Sequence, residues 1–388
     1  MTSICALWAL AGVVLATAAC APQPRGPESA AKRSAAELTP GERFPTSLHA
    51  RGPSNGRENV YEDGPGRLTK VPFRDLPCQK CHPETYADGT PVDEASYRPS
   101  CRDCHVDPLG NDPVPQQRCL QCHETGFDRY SVHREAGLEC MDCHTSNDVH
   151  GNGRIQQTMY APDAIEADCL DCHDEVVGDS IESHRIHLAS VDCSACHLET
   201  AETCYSCHFE SYVEGGYQDR VLTEHSGFIL LANDKEGKVH TATYQTIPWK
   251  GKTFVGILPI FNHTIMKAED ARDCGDCHDN DAAREYGEDG RIWVARWDEE
   301  TRSLWLRKGV IPVPPDWSYR LKFDQITYTG SPDDPVSGYP SEDPENWTFV
   351  GNVPDLTQDF KDYIDPLTSE QMEALMQPYS EYDSPASR

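Results

Sequence analysis

One short pattern of cysteine and histidine dominates the chemistry that this sequence can do. The pattern Cys-x-x-Cys-His occurs eight times between residues 78 and 278. Its cysteines are Cys78, Cys81, Cys101, Cys104, Cys119, Cys122, Cys140, Cys143, Cys169, Cys172, Cys193, Cys196, Cys204, Cys207, Cys274 and Cys277, and its histidines are His82, His105, His123, His144, His173, His197, His208 and His278. Of the 18 cysteines only Cys5 and Cys20 lie outside these motifs, so none is left over for a disulfide.

The spacing within the motif has a specific chemical reason. Two cysteines three positions apart each bond one vinyl group of the same haem, and the histidine that follows supplies one axial nitrogen to the iron. Zinc sites pair Cys-x-x-Cys units without requiring a histidine after every one, and a disulfide scaffold does not fix the same triplet eight times. The repeat therefore predicts eight covalently attached haems of the c type.

The histidines outside the motifs match the number of irons. They are His49, His133, His150, His184, His187, His225, His240 and His263. A free surface histidine is the alternative for each of them, but all except His49 lie between the first and last motifs, where a haem is always near. The three-residue spacing of His184 and His187 would present both on one face of a helical turn, toward two haems. Methionine is the other common sixth ligand, and only Met159 and Met266 are suitably placed, so mostly bis-histidine, low-potential haems are predicted.

On these eight motifs the chain resembles the multihaem c-type cytochromes of bacterial respiration, and specifically an octahaem member. The resemblance covers residues 78–278, and residues 281–388 lie outside it. It implies export of the unfolded chain and attachment of haem outside the cytoplasm. It also implies that histidines outside the motifs cap the irons of neighbouring haems.

The composition indicates that apolar side chains alone are too few to form a large hydrophobic core. Of its 388 residues 38% are hydrophobic, and it has 29 prolines and 27 glycines. Ordinary globular chains have roughly 45–50% apolar residues when glycine is included, so a large apolar core is hard to form here. Eight porphyrins would supply the missing apolar volume. The net charge of −30 argues against nucleic acid as a partner, because phosphate binding needs a basic face.

The chain is expected to contain a leader, a tether, a haem domain and a tail. Residues 1–19 have the short apolar run of a signal peptide. The sequence Thr17-Ala18-Ala19-Cys20 resembles a lipoprotein cleavage box, which predicts a lipid anchor at Cys20. Residues 20–70 show no apolar period and are predicted to be a flexible tether. An octahaem domain at 71–280 and a haem-free, β-rich segment at 281–388 follow. The expected location is periplasmic or cell-surface, as an outer-membrane lipoprotein.

The predicted fold class is a multihaem cytochrome that is mostly irregular, with short helices packed around haems. A β-meander is inserted at residues 227–260, and the C-terminal tail is small and β-rich. In this tail the sequence predicts a β-hairpin from residues 291–297 and 303–307, and a helix capped by Thr368 with Gln371. The interval of 11 residues between Cys193 and Cys204 predicts that the sixth and seventh haems lie nearly in contact.

Three classes of function remain open. The first is an electron conduit between a quinol-linked donor and a periplasmic or extracellular acceptor, with redox proteins as partners and no catalytic residue. The second is a multihaem reductase of a small nitrogen or sulfur oxyanion, with one open iron. The third is a subunit of a haem filament, which the predicted anchor and tether disfavour. The number of irons that lack a second protein ligand separates the first class from the second.

Overall fold

A computed structural model describes residues 38–51, 60–76, 83–93, 96–107, 109–110, 112–123, 131–156, 158–161, 163–178, 180–215, 223–260, 263–331, 340–359 and 363–379. The predicted signal peptide, Cys20 and the first motif lie outside these residues. Over the described residues the chain is mixed α/β, with short helices and several small sheets. Among them, no helix combines the length and the apolar character that a membrane span requires.

The helices of the described chain are short, and several of them contain a motif. They are α1 (Pro40–Arg43), α2 (Pro65–Thr69), α3 (Gln116–His123), α4 (Val132–Glu135), α5 (Cys140–Cys143), α6 (Ser146–His150), α7 (Glu182–His187), α8 (Cys193–His197), α9 (Phe209–Gly215), α10 (Cys274–Cys277), α11 (Asp281–Asp289), α12 (Trp317–Arg320) and α13 (Ser369–Met376). Single 3-10 turns occupy Phe44–Thr46, Phe73–Asp75, Cys101–Asp103, Cys169–Asp171, Asp174–Val176, Ala268–Asp270 and Pro344–Asn346.

Capping side chains fix the helical turn at several motifs. The Glu139 N–H donates to Asp142 Oδ2 at 2.7 Å, and the Asp273 N–H donates to Asp276 Oδ2 at 2.8 Å. The residue directly before the first cysteine also caps the turn at Ser100, Asp168 and Asp192. Such caps satisfy backbone N–H groups that have no partner within the helix. They hold the Cys-x-x-Cys segments of these five motifs in a helical or 3-10 turn, which brings the two thiols of each motif to the same side.

The strands form one large sheet and two small ones. They are β1 (Ala201–Tyr205), β2 (Thr223–Asn233), β3 (Val239–Trp249), β4 (Lys252–Pro259), β5 (Ile292–Asp298), β6 (Ser303–Leu306), β7 (Gly309–Pro312), β8 (Leu321–Phe323), β9 (Gln325–Tyr328), β10 (Trp347–Gly351) and β11 (Leu356–Asp359). The large sheet has the order β1-β2-β3-β4-β11, with β7 also pairing with β2. The small sheets are β6-β5-β8 and β10-β9.

The meander predicted at residues 227–260 forms the centre of the large sheet. Strands β2, β3 and β4 pair antiparallel in series, with Leu230 opposite Ala242 and Tyr244 opposite Ile257. Strand β1, which contains Cys204, adds to the edge by pairing with β2. The seventh motif is therefore attached to a rigid sheet, whereas the other described motifs lie in helical or 3-10 turns.

The C-terminal segment is built into the same sheet. Strands β7 and β11 pair parallel with β2 and β4, so that Val310 lies opposite Ile229 and Thr357 opposite Val255. The predicted hairpin is present as β5 and β6, with Ala295 opposite Leu306. Helix α13 has the predicted capping box, in which the Gln371 N–H donates to Thr368 Oγ1 at 3.2 Å. The C-terminal segment thus contributes two strands to the sheet that contains the meander.

Part of the predicted tether is folded onto the body, which corrects the prediction of a flexible segment up to residue 70. Tyr61 and Phe73 are buried in a cluster with Ile247, Trp249 and Phe254 of the meander. Helix α1 is fixed to α6 by a hydrogen bond from Arg43 to Asn147. A few isolated aromatic residues produce this docking, and they are too far apart to give an apolar period.

Candidate haem-binding site

A large cavity brings the predicted haem residues together. Its volume is about 2910 Å³, and residues of every motif from the second to the seventh line it. Ordinary small-molecule pockets reach roughly 1,000 Å³, so this cavity has room for several large cofactors. The non-motif histidines on its wall are His49, His133, His150, His184, His187, His240 and His263. His225 is not among the residues that line it.

Six motif histidines each face one non-motif histidine. The pairs, with the distance between ring centroids, are His123 with His49 (6.1 Å), His105 with His150 (6.2 Å), His173 with His133 (6.0 Å), His144 with His263 (6.1 Å), His197 with His184 (6.4 Å) and His278 with His187 (6.3 Å). Each pair among the described residues joins one motif histidine to one non-motif histidine.

These separations match two imidazoles on opposite sides of one metal ion. A metal–nitrogen bond is about 2.0 Å long and the ring centre lies about 1.1 Å beyond the nitrogen, so two axial rings are centred about 6.2 Å apart. The six pairs fall between 6.0 and 6.4 Å. Rings in direct stacking are much closer, as His225 and Phe228 are at 4.1 Å. The pairs therefore have the spacing of bis-histidine ligation.

Hydrogen bonds at Nδ1 orient several of these rings. His278 donates from Nδ1 to the Ala374 carbonyl at 2.9 Å, and His49 donates to the Val149 carbonyl at 3.2 Å. His144 Nδ1 lies 3.0 Å from Asp148 Oδ2. His150 Nδ1 likewise lies 3.1 Å from the Ser146 carbonyl oxygen. The Nδ1 atoms of His105 and His173 lie 3.5 Å from carboxylate oxygens of Asp112 and Glu175, which are ion-pair distances and not hydrogen bonds. A metal-binding histidine typically donates its second N–H in a hydrogen bond, which fixes the tautomer with its lone pair on Nε2.

Burial and the facing ring both favour neutral imidazoles. Burial lowers the pKa of His49, and the nearby His123 lowers it further. The same two causes, in the same order, lower the pKa of His133 and His263. A neutral imidazole has the free lone pair that a metal requires. The electrostatics of the cavity therefore favour the protonation state that can bind iron.

Helix α7 connects two motifs through adjacent histidines. His184 faces His197 of the sixth motif and His187 faces His278 of the eighth. The two side chains lie one helical turn apart, which is the arrangement that their spacing predicts. A single helical turn therefore sets the relative positions of the two motifs.

The N-terminal segment carries His49 to the third motif. Arg51 Nη1 donates to the Gln156 carbonyl at 2.8 Å, and His49 Nδ1 contacts the Val149 carbonyl. Gly151 has a φ of 80°, and a Cβ at this position would lie 2.7 Å from Thr46 Oγ1. Only glycine can adopt this positive φ and also leave room for Thr46 and Ser47 to pass so close to residue 151. The contacts around Gly151 therefore fix the position of His49.

The last two non-motif histidines have different surroundings. His225 has no exposed surface; its Nε2–H donates to the Arg307 carbonyl at 2.6 Å, and the Tyr244 hydroxyl donates to its Nδ1. Both nitrogens of His225 are thus used inside the sheet. His240 lines the cavity, donates from Nδ1 to the Thr241 carbonyl at 2.9 Å, and has Nε2 at 3.7 Å from Asp192 Oδ1.

Replacing His225 by glutamine is expected to lower stability without changing any haem. Burial lowers the pKa of His225 to about 4, below the unfolded value of about 6.5. The unfolded chain therefore takes up the proton first, and the stabilisation by neutral His225, of the order of 3 kcal/mol, is present above pH ~6.5 and lost as the pH falls toward 4. The urea midpoint, followed by tryptophan fluorescence at pH 7 and pH 5, should depend less on pH in the variant. A changed visible haem spectrum would contradict this structural role.

Hydrogen bonds and electrostatic interactions between thiols indicate which motifs are neighbours. The Cys169 thiol hydrogen-bonds Cys193 and lowers its pKa to about 7. Further interactions between motifs join Cys104 to Cys119, Cys119 to Cys140, Cys143 to Cys172, and Cys196 to Cys274 and Cys277. Thioether bonds to haem would abolish the titrations themselves, but the proximity remains. The second to sixth motifs and then the eighth form one continuous series.

The seventh motif is attached to the large sheet, whereas the other described motifs lie in helical or 3-10 turns. Cys204 is on β1, and Cys207 packs against the cluster of Tyr61, Phe73 and Leu76. The sequence predicts that the sixth and seventh haems are nearly in contact. The thiols that raise the pKa of Cys196, after burial, are Cys193 and Cys274, so the eighth motif is also a neighbour of the sixth.

Two kinds of supporting residue were not identified from the sequence. Asp148 is four residues after His144, a helical spacing that gives a weak signal for a carboxylate–histidine contact. Arg272 lies two residues before Cys274 of the eighth motif. It donates to the carbonyls of Leu198 and Glu199, which directly follow the sixth motif, and so connects the two motifs. Nothing in the local sequence of Arg272 indicates this long-range contact.

The apolar side chains between residues 88 and 194 are arranged as expected if haem fills the space between them. Among the described residues of this stretch, no apolar side chain is buried. Large apolar side chains there are exposed, namely Val106, Leu109, Leu138, Met141, Ile155, Met159, Leu170, Val177 and Ile181. Paired thiols, paired imidazoles and unburied apolar groups together are the donor set and the lining that covalent haem needs.

Comparison with known proteins does not assign a family to this chain. Neither a protein-family model nor a curated protein nor a solved structure matches it. Its function is therefore inferred from the site.

Proposed function

We propose that this chain is an exported octahaem c-type cytochrome that conducts electrons. The observation that carries the proposal is the set of six motif and non-motif histidine pairs, all with ring centres 6.0–6.4 Å apart. When bound, haem c supplies one-electron chemistry, in which its iron alternates between the ferrous and ferric forms.

The residues of this chain hold the cofactors and set their properties. The motif cysteines attach each haem, and the capped turns fix the direction in which the thiols point. The paired histidines would hold a haem from both of its faces, and this would exclude water and substrate from those irons. Two imidazole ligands also favour a low potential, because methionine in place of one histidine raises it. Such sites suit electron transfer and not substrate chemistry.

The series of neighbouring thiols supports a continuous path. It runs from the second motif through the third, fourth, fifth and sixth to the eighth. Helix α7 strengthens the last step, because it provides a histidine to both the sixth and the eighth motif. We infer that electrons pass along the chain of haems in this order of motifs.

The charge of the chain supports basic redox partners. A net charge of −30 attracts cationic proteins, and this attraction weakens as salt screens it. The proposed donor is linked to quinol, and the proposed acceptor is periplasmic or extracellular. Lipidation of Cys20, followed by the Pro-rich residues 21–30, would keep the protein at a membrane surface.

Intact mass measurement tests the cofactor content directly. After acid–acetone extraction, which removes haem that is not covalently bound, the mature protein should retain eight haem masses. Replacing Cys274 and Cys277 by alanine should reduce the number by one. Retention of six haems or fewer by the unmodified protein would reject the proposal.

A further inference from the structure

One motif histidine on the cavity wall has a buried carboxylate as its hydrogen-bond partner. Nδ1 of His144, in the fourth motif, lies 3.0 Å from Asp148 Oδ2, and the Asp148 side chain is only 5% exposed. The ring of His144 also faces His263, at 6.1 Å between ring centres. Asp148 is therefore the outer partner of a ring that would bind iron in the proposed octahaem site.

Three donors hold the Asp148 carboxylate in place. Besides the His144 ring, the Thr145 N–H donates to Oδ2 at 3.1 Å and the Glu166 N–H donates to Oδ1 at 2.6 Å. A carboxylate that is withdrawn from water needs such donors, because an unpaired buried charge is strongly unfavourable. The two backbone donors carry no net charge, so they fix the carboxylate beside His144 without neutralising it.

Other paired rings donate from Nδ1 to neutral acceptors. His278 of the eighth motif donates to the Ala374 carbonyl at 2.9 Å, and His49 donates to the Val149 carbonyl at 3.2 Å. These two hydrogen bonds resemble that of His144 in length. The difference lies in the charge of the acceptor.

A charged acceptor changes the relative energies of ferric and ferrous iron. A carboxylate that accepts from the Nδ1–H makes the imidazole a more basic ligand, and hydrogen bonding of this kind is one of the ways in which a protein sets a haem potential. A negative charge near the iron also favours the ferric form, and salt screens a buried charge only weakly. Both effects lower the reduction potential.

We propose that Asp148 lowers the reduction potential of the haem in the fourth motif, so that this haem passes electrons to its neighbours and does not retain them. The inference rests on the proposed octahaem function and adds a residue that sets the potential of one haem. Cys140 interacts with Cys119 of the third motif, and Cys143 interacts with Cys172 of the fifth. The fourth haem therefore stands between two others. Asp148 acts through His144 and is a positioning residue.

Redox titration of Asp148→Asn tests this inference. The amide oxygen of the substituted side chain can accept from His144 and from the Thr145 N–H as Oδ2 does, so the variant removes the charge and keeps the ring oriented. One haem transition should shift to higher potential by more than any other. This shift should be absent when Cys140 and Cys143 are also replaced by alanine, because that change removes the fourth haem.

Glu166→Gln is the matched control. Glu166 is exposed, and its carboxylate accepts from the Thr145 hydroxyl and the Asn147 amide. The substitution removes one negative charge close to Asp148 and keeps the backbone N–H that donates to Asp148. Every haem transition should stay in place, because an exposed charge is screened by solvent and salt.

Unchanged potentials in Asp148→Asn would overturn the inference, and an equal shift in Glu166→Gln would do the same, because net charge alone would then be the cause. Asp148→Asn should bind no more carbon monoxide than the unmodified protein. An additional equivalent would also overturn the inference, since Asp148 would then be needed to keep the ligand on the iron.

Should Asp148→Asn fail to take up its haems, Asp148→Glu tests the same contact with the charge retained. The longer side chain displaces the carboxylate from the ring, so the same transition should move to higher potential by less, and no movement would overturn the inference. Haem content is measured by mass on the same samples. A low content in the unmodified protein rejects the octahaem proposal, whereas eight haems with unchanged potentials reject only the role of Asp148.

Discussion

Replacing His187 by alanine is expected to open the haem of the eighth motif and to leave the other haems unchanged. His187 is the non-motif histidine that faces His278, at 6.3 Å between ring centres. Its removal takes away one strong-field imidazole, so that the iron becomes high-spin and accessible to small ligands. The potential of this haem also changes, because the axial ligands set it. The reduced variant should bind one more equivalent of carbon monoxide than the unmodified protein.

His184→Ala provides a closely matched comparison. It removes a histidine from the same helical turn, but the haem that opens should be that of the sixth motif, through His197. Each single variant should add one equivalent of carbon monoxide, and the double variant should add two. If the double variant adds only one, the two histidines serve the same iron and the assignment of α7 to two motifs is wrong.

The parts of this site that the sequence predicts are those that covalent chemistry places next to each other in the chain. Haem attachment requires two cysteines and a histidine within five residues, so the motifs are visible without a fold. The spacing of His184 and His187 is equally local, and it predicts a helical turn that faces two haems. The meander and the capping box of α13 are also local patterns.

Pairing partners could not be predicted, because they depend on long-range contacts. His49 reaches His123 only because residues 38–51 cross over Gly151 and dock on α6. His225 and His240 look alike in the sequence, since both flank or lie in the meander. Their surroundings differ because the side chain of His225 is fully buried in the sheet, whereas His240 is on the wall of the cavity. The difference depends on the strand register of the large sheet, which includes the distant strands β7 and β11, and the local sequence does not reveal it.

Removal of the fifth haem is expected to interrupt electron transfer along the series of motifs. The cysteines of this motif interact with both neighbouring motifs, Cys172 with Cys143 of the fourth and Cys169 with Cys193 of the sixth. Replacing Cys169 and Cys172 by alanine removes the attachment of this haem, and electrons from the fourth motif would have to cross the gap to the sixth. Transfer from the second motif to the eighth should slow by orders of magnitude.

The matched control removes a haem outside the series. Cys204 and Cys207 belong to the seventh motif, which is attached to β1 and is not part of the proposed path. Their replacement by alanine also removes one haem, and it should leave transfer between the second and eighth motifs unchanged. Equal slowing in both variants would reject the proposed order of motifs.

The His187→Ala background makes this transfer measurable, because carbon monoxide then reports reduction of the eighth haem. A photosensitiser attached at Leu109→Cys, a position that is 84% exposed and close to His105, delivers an electron at the second motif. The rate at which the ferrous carbon monoxide complex of the eighth haem forms gives the rate of transfer, after subtraction of the signal from protein that retains His187.

Should the protein without the fifth haem fail to fold, His133→Met tests the same step with the haem in place. Methionine opposite His173 raises the potential of this haem, so an electron from the second motif should be held at the fifth motif and reach the eighth more slowly. Redox titration of the variant should show one haem shifted to higher potential. A shifted potential together with an unchanged transfer rate would mean that electrons bypass the fifth motif.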